Sequence, residues 1–203
     1  MLSLVFLSGC SNLPNNLSPV SVDRASDATA WEMTGKIAIT VPNDKVSSNL
    51  YWLHTANSDE LTLTTMLGIQ VLSLTQKQGK ARLIVNGETY EDSNAQALLL
   101  RVTGWTLPID SLPLWVTGQS SSNDMIKLKD SQNRPIEIMT QTHPIWTINY
   151  LRWQQQHGTE LPKLLSLNNT NIKIKIQINQ WQALAASKHA DNLRHIIPVE
   201  STP

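Results

Sequence analysis

A period of two runs through this chain. Ile172, Ile174, Ile176 and Ile178 alternate with Lys173, Lys175, Gln177 and Asn179, a pattern that only an extended strand can sort into one apolar and one wet face. The pattern recurs. Ile37, Ile39 and Val41 alternate with Lys36, Ala38 and Thr40; Leu61 and Leu63 alternate with Thr62 and Thr64; Ala81, Leu83 and Val85 share a face; Ile136 and Ile138 flank Glu137; Trp146, Ile148 and Tyr150 form another stripe. Ile69 and Val71 keep the period, but Leu72 and Leu74 continue it on the opposite face, which predicts a bulge between 71 and 72. With segments near 50–53, 126–128 and 164–167, the count is ten or eleven strands. Turn residues at Asn57-Ser58, Gly79, Asn86-Gly87 and Asn168-Asn169 make the connections short and the pairing antiparallel.

Two helical segments interrupt the strands. Ala95, Leu98, Leu99 and Val102 recur at helical spacing, with Asp92 or Ser93 placed to cap the start and Gly104 the end. A second, shorter helix spans about 111–116, with Pro113 in its first turn and Gly118 beyond it. A sheet with one apolar face and a helical insert to cover it predicts a mainly β (α+β) fold. The expected form is an incomplete antiparallel barrel curled on short helices.

The composition removes several functions. Sixteen Lys and Arg balance sixteen Asp and Glu, so no basic excess is available to neutralise a nucleic-acid backbone. No HExxH or comparable metal-ligand spacing, GxSxG elbow or phosphate-binding glycine loop is present. The carboxylate pairs Asp59-Glu60 and Glu91-Asp92 read as solvated turn or cap residues. Nothing in the sequence asks for a cofactor, a metal or a catalytic residue, and the expectation is a protein that is not an enzyme. The aromatic set is uneven, with seven Trp, three Tyr and one Phe. Indole brings bulk together with an N–H that needs a partner when buried.

The ends carry the next signal. Leu7-Ser8-Gly9-Cys10 follows a short apolar run and resembles the lipobox of bacterial lipoproteins, in which the Cys is lipidated and becomes the mature N-terminus. The run is too short to span a hydrocarbon core of about 30 Å, and no basic segment precedes it. Residues 1–9 therefore read as a truncated lipoprotein signal peptide, and Cys10 as the lipidation site. By the same resemblance Ser11, which is not the Asp of inner-membrane retention, points to the outer membrane, facing the periplasm. Residues 10–29 read as the lipidated Cys and a flexible tether, 30–181 as the folded domain, and 182–203 as a disordered tail.

Local patterns inside the domain complete the reading. They are Trp31 with Gly35-Lys36-Ile37-Ala38-Ile39, Leu50-Tyr51-Trp52, Met66-Leu67-Gly68, Gly87-x-x-Tyr90, Gly104-Trp105-Thr106-Leu107-Pro108-Ile109 and Leu112-Pro113-Leu114-Trp115-Val116-Thr117-Gly118. In order and spacing they resemble the outer-membrane lipoprotein receptor family LolB over about residues 30–181. The resemblance implies a half-barrel around a hydrophobic cavity. It also implies a monomer that accepts acylated lipoproteins from the periplasmic carrier LolA and inserts them into the outer membrane. Leu67 inherits the family's membrane-insertion residue, flanked by Met66, where Pro is common, and by Gly68. Trp52, Trp105, Trp115 and Trp146 are candidate walls of an acyl-chain cavity, with Ile37, Ile39 and Leu63. The competing reading is a structural envelope lipoprotein that scaffolds partner proteins. A soluble carrier of the same fold fits poorly with Cys10, and an envelope hydrolase has no motif to support it.

Overall fold

The computed structural model describes residues 16–187. Cys10, the signal-like segment 1–9 and the tail from 188 onward lie outside the described residues. The strands are β1 (Leu17–Val20), β2 (Ala30–Val41), β3 (Asp44–Thr55), β4 (Ser58–Thr64), β5 (Gln70–Lys77), β6 (Lys80–Val85) and β7 (Glu88–Asp92). After the helices α1 (Ala95–Thr103) and α2 (Leu112–Val116) come β8 (Asp124–Lys129), β9 (Pro135–Thr140), β10 (Thr147–Gln156), β11 (Thr159–Asn168) and β12 (Lys173–Ala186). One antiparallel sheet runs β7-β6-β5-β4-β3-β2-β12-β11-β10-β9-β8, with β1 added on β12. No bond joins β7 to β8 among the described residues, so the sheet is curled and unclosed, as the sequence implied.

Alternation decides the sheet's two faces. Ile37 and Ile39 are buried while Lys36 and Thr40 are exposed, and Ile174, Ile176 and Ile178 are buried between exposed Lys173 and Lys175. The long central strands β2 and β12 pair from Lys173–Thr40 down to Leu184–Ala30. Their closest approach requires Gly35: a Cβ there would lie 2.0 Å from the Gln177 carbonyl oxygen, beside the register shift between Ile178 and Gln180. The bulge expected near 71 is present. Leu63 faces Leu72, but Thr64 faces Gln70, leaving Val71 as the extra residue.

Three expectations need correction. The sheet has twelve strands, because β7 and β1 are not legible as alternation. Glu88-Thr89-Tyr90-Glu91-Asp92 offers a single apolar residue, and Leu17–Val20 is short and contains Pro19. Both are recruited by neighbours that supply backbone partners. Second, β1 lies inside the expected tether, and β12 runs to Ala186, past the expected boundary at 181. Leu17 pairs with Ala186 and Val20 with Ala183, so each segment satisfies the other's backbone groups. Third, α1 is capped by Asn94, not by Asp92 or Ser93: its side chain accepts from the Ala97 amide at 2.8 Å. Asp92 instead turns back to receive Arg101 Nη1 at 2.6 Å.

Candidate functional site

Within the curl of β2–β5 lies a small, wholly apolar cavity. Ile37, Ile39, Leu50, Trp52, Leu63 and Ile176 contribute its sheet wall, and α1 with the following segment closes it through Leu99, Trp105, Leu107 and Ile109. Its free volume is about 20 Å³, room for roughly one water-sized sphere. Facing apolar walls come together because each atom pair in contact gains dispersion energy and no polar group holds water between them. The expected hollow is thus present as walls and shut as a space. A second, more open pocket of about 190 Å³ shares Leu63, Leu72 and Trp105 with the cavity. It reaches out along Val46, Val71 and Val85 to the C-terminal end of α1 at Val102 and Thr103, forming a mouth.

The Leu67 loop stands at that same end. It joins β4 to β5, so Val71 and Leu72 in the mouth follow it by a few residues. Thr65 builds the loop: its amide donates to the Ile69 carbonyl at 2.8 Å, its carbonyl accepts from the Gly68 amide at 3.0 Å, and its hydroxyl accepts from the Ile69 amide at 3.2 Å. Gly68 takes φ +81°, a left-handed value that favours glycine. Asn49 Nδ2 also donates to the Thr65 carbonyl at 3.0 Å, tying the loop to β3. With its backbone held in this way, the loop leaves Met66 82%, Leu67 88% and Ile69 64% exposed. Ile69 extends the apolar tip. Sequence reading placed it in a strand, because its spacing to Val71 kept the strand period.

The seven sequence-derived wall residues divide. Trp52, Trp105, Ile37, Ile39 and Leu63 line the cavity. Trp115 and Trp146 do not line it, a correction with a physical cause. Trp115 is buried in α2, its indole N–H donating to Asp124 Oδ2 at 3.1 Å. Trp146 is buried just before β10, with its amide held by the Thr140 hydroxyl at 2.8 Å. Both fill the other half of the barrel. Among wall residues that sequence reading missed, Leu72 and Leu74 could have been taken from the inner face of β5. Leu107 and Ile109 belong to an aperiodic segment and left no such signal.

Asp59 is more than a solvated turn residue. Its Oδ1 accepts from Trp52 Nε1 at 2.8 Å and lies 2.8 Å from His54 Nδ1. Trp31 meets Trp52 edge-on at 5.2 Å and stacks on His54 at 4.9 Å. The carboxylate therefore satisfies the indole N–H, and the ring contributes its carbon surface to the cavity. Tyr51 points the other way and donates to Glu32; partial burial and then the charge of Glu32 push its pKa up to about 12. No group of three or more His, Cys, Asp or Glu side chains suited to a metal occurs among the described residues.

The sequence model of the family described as Outer membrane lipoprotein LolB matches residues 29–181. This chain belongs to the LolB family. It is 51% identical over 199 residues to the outer-membrane lipoprotein LolB of Shewanella sediminis, covering 98% of this chain and 88% of that one. It is 48% identical over 194 residues to the counterpart in Shewanella woodyi, covering 95% and 91%. Among solved structures, a LolA superfamily protein from Nitrosomonas europaea aligns with a TM-score of 0.52 at 8% identity, covering 77% of this chain and 86% of that one. That likeness concerns the fold alone. Family membership makes this chain an outer-membrane lipoprotein that acts in lipoprotein localisation.

Proposed function

We propose that this chain receives acylated lipoproteins from the periplasmic carrier LolA, holds their acyl chains in the apolar cavity and releases them into the outer membrane at the Leu67 loop. Cys10, lipidated, keeps the receptor on that membrane. The observation that carries this reading is continuity: an apolar cavity, an apolar mouth and an apolar exposed loop follow one another along β4 and β5.

The chemistry explains the need for such a path. A sixteen-carbon chain left in water costs on the order of 13 kcal/mol at about 0.8 per CH₂. An acylated client must therefore pass between surfaces that are each nearly as apolar as the bilayer. A space of about 20 Å³ cannot hold such a chain, so α1 and the segment carrying Trp105, Leu107 and Ile109 have to swing away from the sheet as the chain enters. Closing behind the departing chain restores the wall-to-wall contacts. Separating the walls costs free energy, which keeps affinity below that of the membrane and lets the client leave. Transfer needs no catalytic residue and runs down a series of affinities from carrier to receptor to bilayer.

The decisive experiment is transfer of a lipoprotein from loaded carrier into vesicles. Leu67→Glu is expected to leave the circular dichroism and melting temperature unchanged, because the side chain is 88% exposed, and to abolish insertion. A Leu67→Glu protein that inserts clients normally would refute the role of the loop. Binding of an acylated peptide is expected to change the tryptophan emission through Trp52 and Trp105; an unaltered spectrum at saturation counts against the cavity as the acyl site.

A further inference from the structure

On the outer face of the sheet, opposite the cavity, four lysines gather. Lys36 lies on β2, Lys45 on β3, and Lys173 and Lys175 on β12, all exposed. The register places Lys173 opposite Thr40 and Thr40 opposite Lys45, so these two lysines flank a threonine in one row. Lys175 lies opposite Ala38 and Ala38 opposite Ser47 in a nearby row. The short side chains between the lysines leave a hollow of about 230 Å³ lined by Ala38, Thr40, Lys45, Lys173 and Lys175. None of the four lysines has an ion-pair partner among the described residues. The nearest acid in sequence, Asp44, accepts from the Lys45 amide at 2.7 Å. In a chain of zero net charge, this is a local concentration of cations with small residues beneath it.

Its position gives it meaning. Thr64, Asn49, Lys36 and Gln177 occupy one row across four strands. From that row the Leu67 loop rises from β4, while Lys45, Lys175 and Lys173 lie beyond it in the same direction on β3 and β12. Apolar tip and cations thus share one end of the molecule, and two weak signals together hold a surface on a bilayer more firmly than either does alone. Cations near an anionic lipid surface are attracted within a Debye length.

The other end sets the tilt. Leu17 pairs with Ala186, nine residues of β12 below Gln177, or roughly 25–30 Å along the strand. Cys10 precedes Asn16 by six residues, a reach of about 22 Å at full extension. An anchor at Cys10 and a tip at Leu67 can meet the same bilayer only if the strands lie along it instead of standing upright.

We propose that the outer face of β2, β3 and β12 around Lys45, Lys173 and Lys175 docks on anionic phospholipid headgroups, laying the central strands along the membrane with the Leu67 loop at the leading edge. The proposal rests on the readings that Leu67 meets the bilayer and that Cys10 is lipidated.

The test uses the full chain with Cys10→Ala, so that no lipid tether contributes, floated with vesicles in the absence of client and carrier. Vesicles of phosphatidylethanolamine with phosphatidylglycerol are compared with vesicles of phosphatidylethanolamine with phosphatidylcholine. Binding to the anionic vesicles is expected to exceed binding to the neutral ones and to weaken between about 20 and about 300 mM salt. The triple variant Lys45→Gln, Lys173→Gln, Lys175→Gln is expected to lose roughly tenfold or more on anionic vesicles and to change little on neutral ones, with unaltered melting. Equal binding of parent and variant to anionic vesicles overturns the proposal. So does a variant that binds vesicles normally but no longer takes client from the carrier, which assigns the face to a protein partner. Leu67→Glu with intact lysines separates the two readings: it should retain salt-sensitive adsorption while failing in transfer. Normal transfer by that variant defeats the loop assignment and leaves the adsorption result standing.

Discussion

The two halves of the sheet are built from the same alternation and packed to opposite ends. On β2–β5 the inner face is aliphatic, with Trp52 held at its edge by Asp59, and the helical insert rests on it without polar bonds across the cavity. On β10–β12 the interior is filled and fastened. Tyr150 donates to the Trp115 carbonyl at 3.0 Å and meets Trp153 at 5.3 Å, and the Arg134 guanidinium lies 5.4 Å from the centre of the Trp153 ring. Trp115 is itself bonded to Asp124. Directional bonds fix one arrangement of side chains, whereas aliphatic contact is non-directional and can be parted and remade. In the proposed transfer, the aliphatic half is the part that would have to open and the fastened half the part that would hold the fold.

Truncating a buried leucine in each half tests this contrast with the largest expected effect. Leu165→Ala, in the filled half at 0% exposure, should cost about 3–5 kcal/mol in denaturant unfolding. Leu63→Ala, beside the existing cavity, should fall at the lower end of the range of about 2–5 for such truncations. Equal losses would erase the distinction between the halves. Next, Tyr150→Phe removes a bond to a buried carbonyl and should cost about 1–2 kcal/mol, with transfer of lipoprotein unchanged. Asn94→Ala removes the cap of α1 and should cost about 1 kcal/mol. Because that helix closes the hollow half, acylated peptide should exchange faster from this variant, as measured by tryptophan emission.

The smallest effect is on pH dependence. Burial, and then the charge of Asp124, raise the Tyr150 pKa above its ordinary value of 10.0. Unfolded chains lose this proton as pH passes 10 while folded chains keep it, so stability present below pH 10 declines above it. Unfolding midpoints between pH 9 and pH 11 should fall for the parent and fall less steeply for Tyr150→Phe. Tyr51, also raised, to about 12, leaves a residual slope in both.

Much of this was legible because each strand's burial is a local property. Ile37, Ile39, Ile174 and Ile176 declared their inward face in sequence, and Val71 declared its bulge. The candidate site was legible in part: Leu67 beside Gly68 is exposed, and five of the seven candidate wall residues line the apolar cavity. Trp115 and Trp146 were misplaced because alternation says that a residue faces inward, not which part of the interior it meets. The roles of Asp59 and Asn94 were hidden for a similar reason, since each depends on which donor the fold brings within reach.

Local pattern is enough to give this chain a mainly β, antiparallel, one-sided sheet with a helical insert, and its motifs mark the LolB family. Periodicity and short turns suffice for that, being set within a few residues. Packing across the whole chain was needed to shut the cavity, to put its mouth beside Leu67, to dock β1 on β12 and to bring four lysines together on the outer face. These depend on strand order and register across residues far apart in the chain, where packing between neighbours, and no local preference, selects the arrangement.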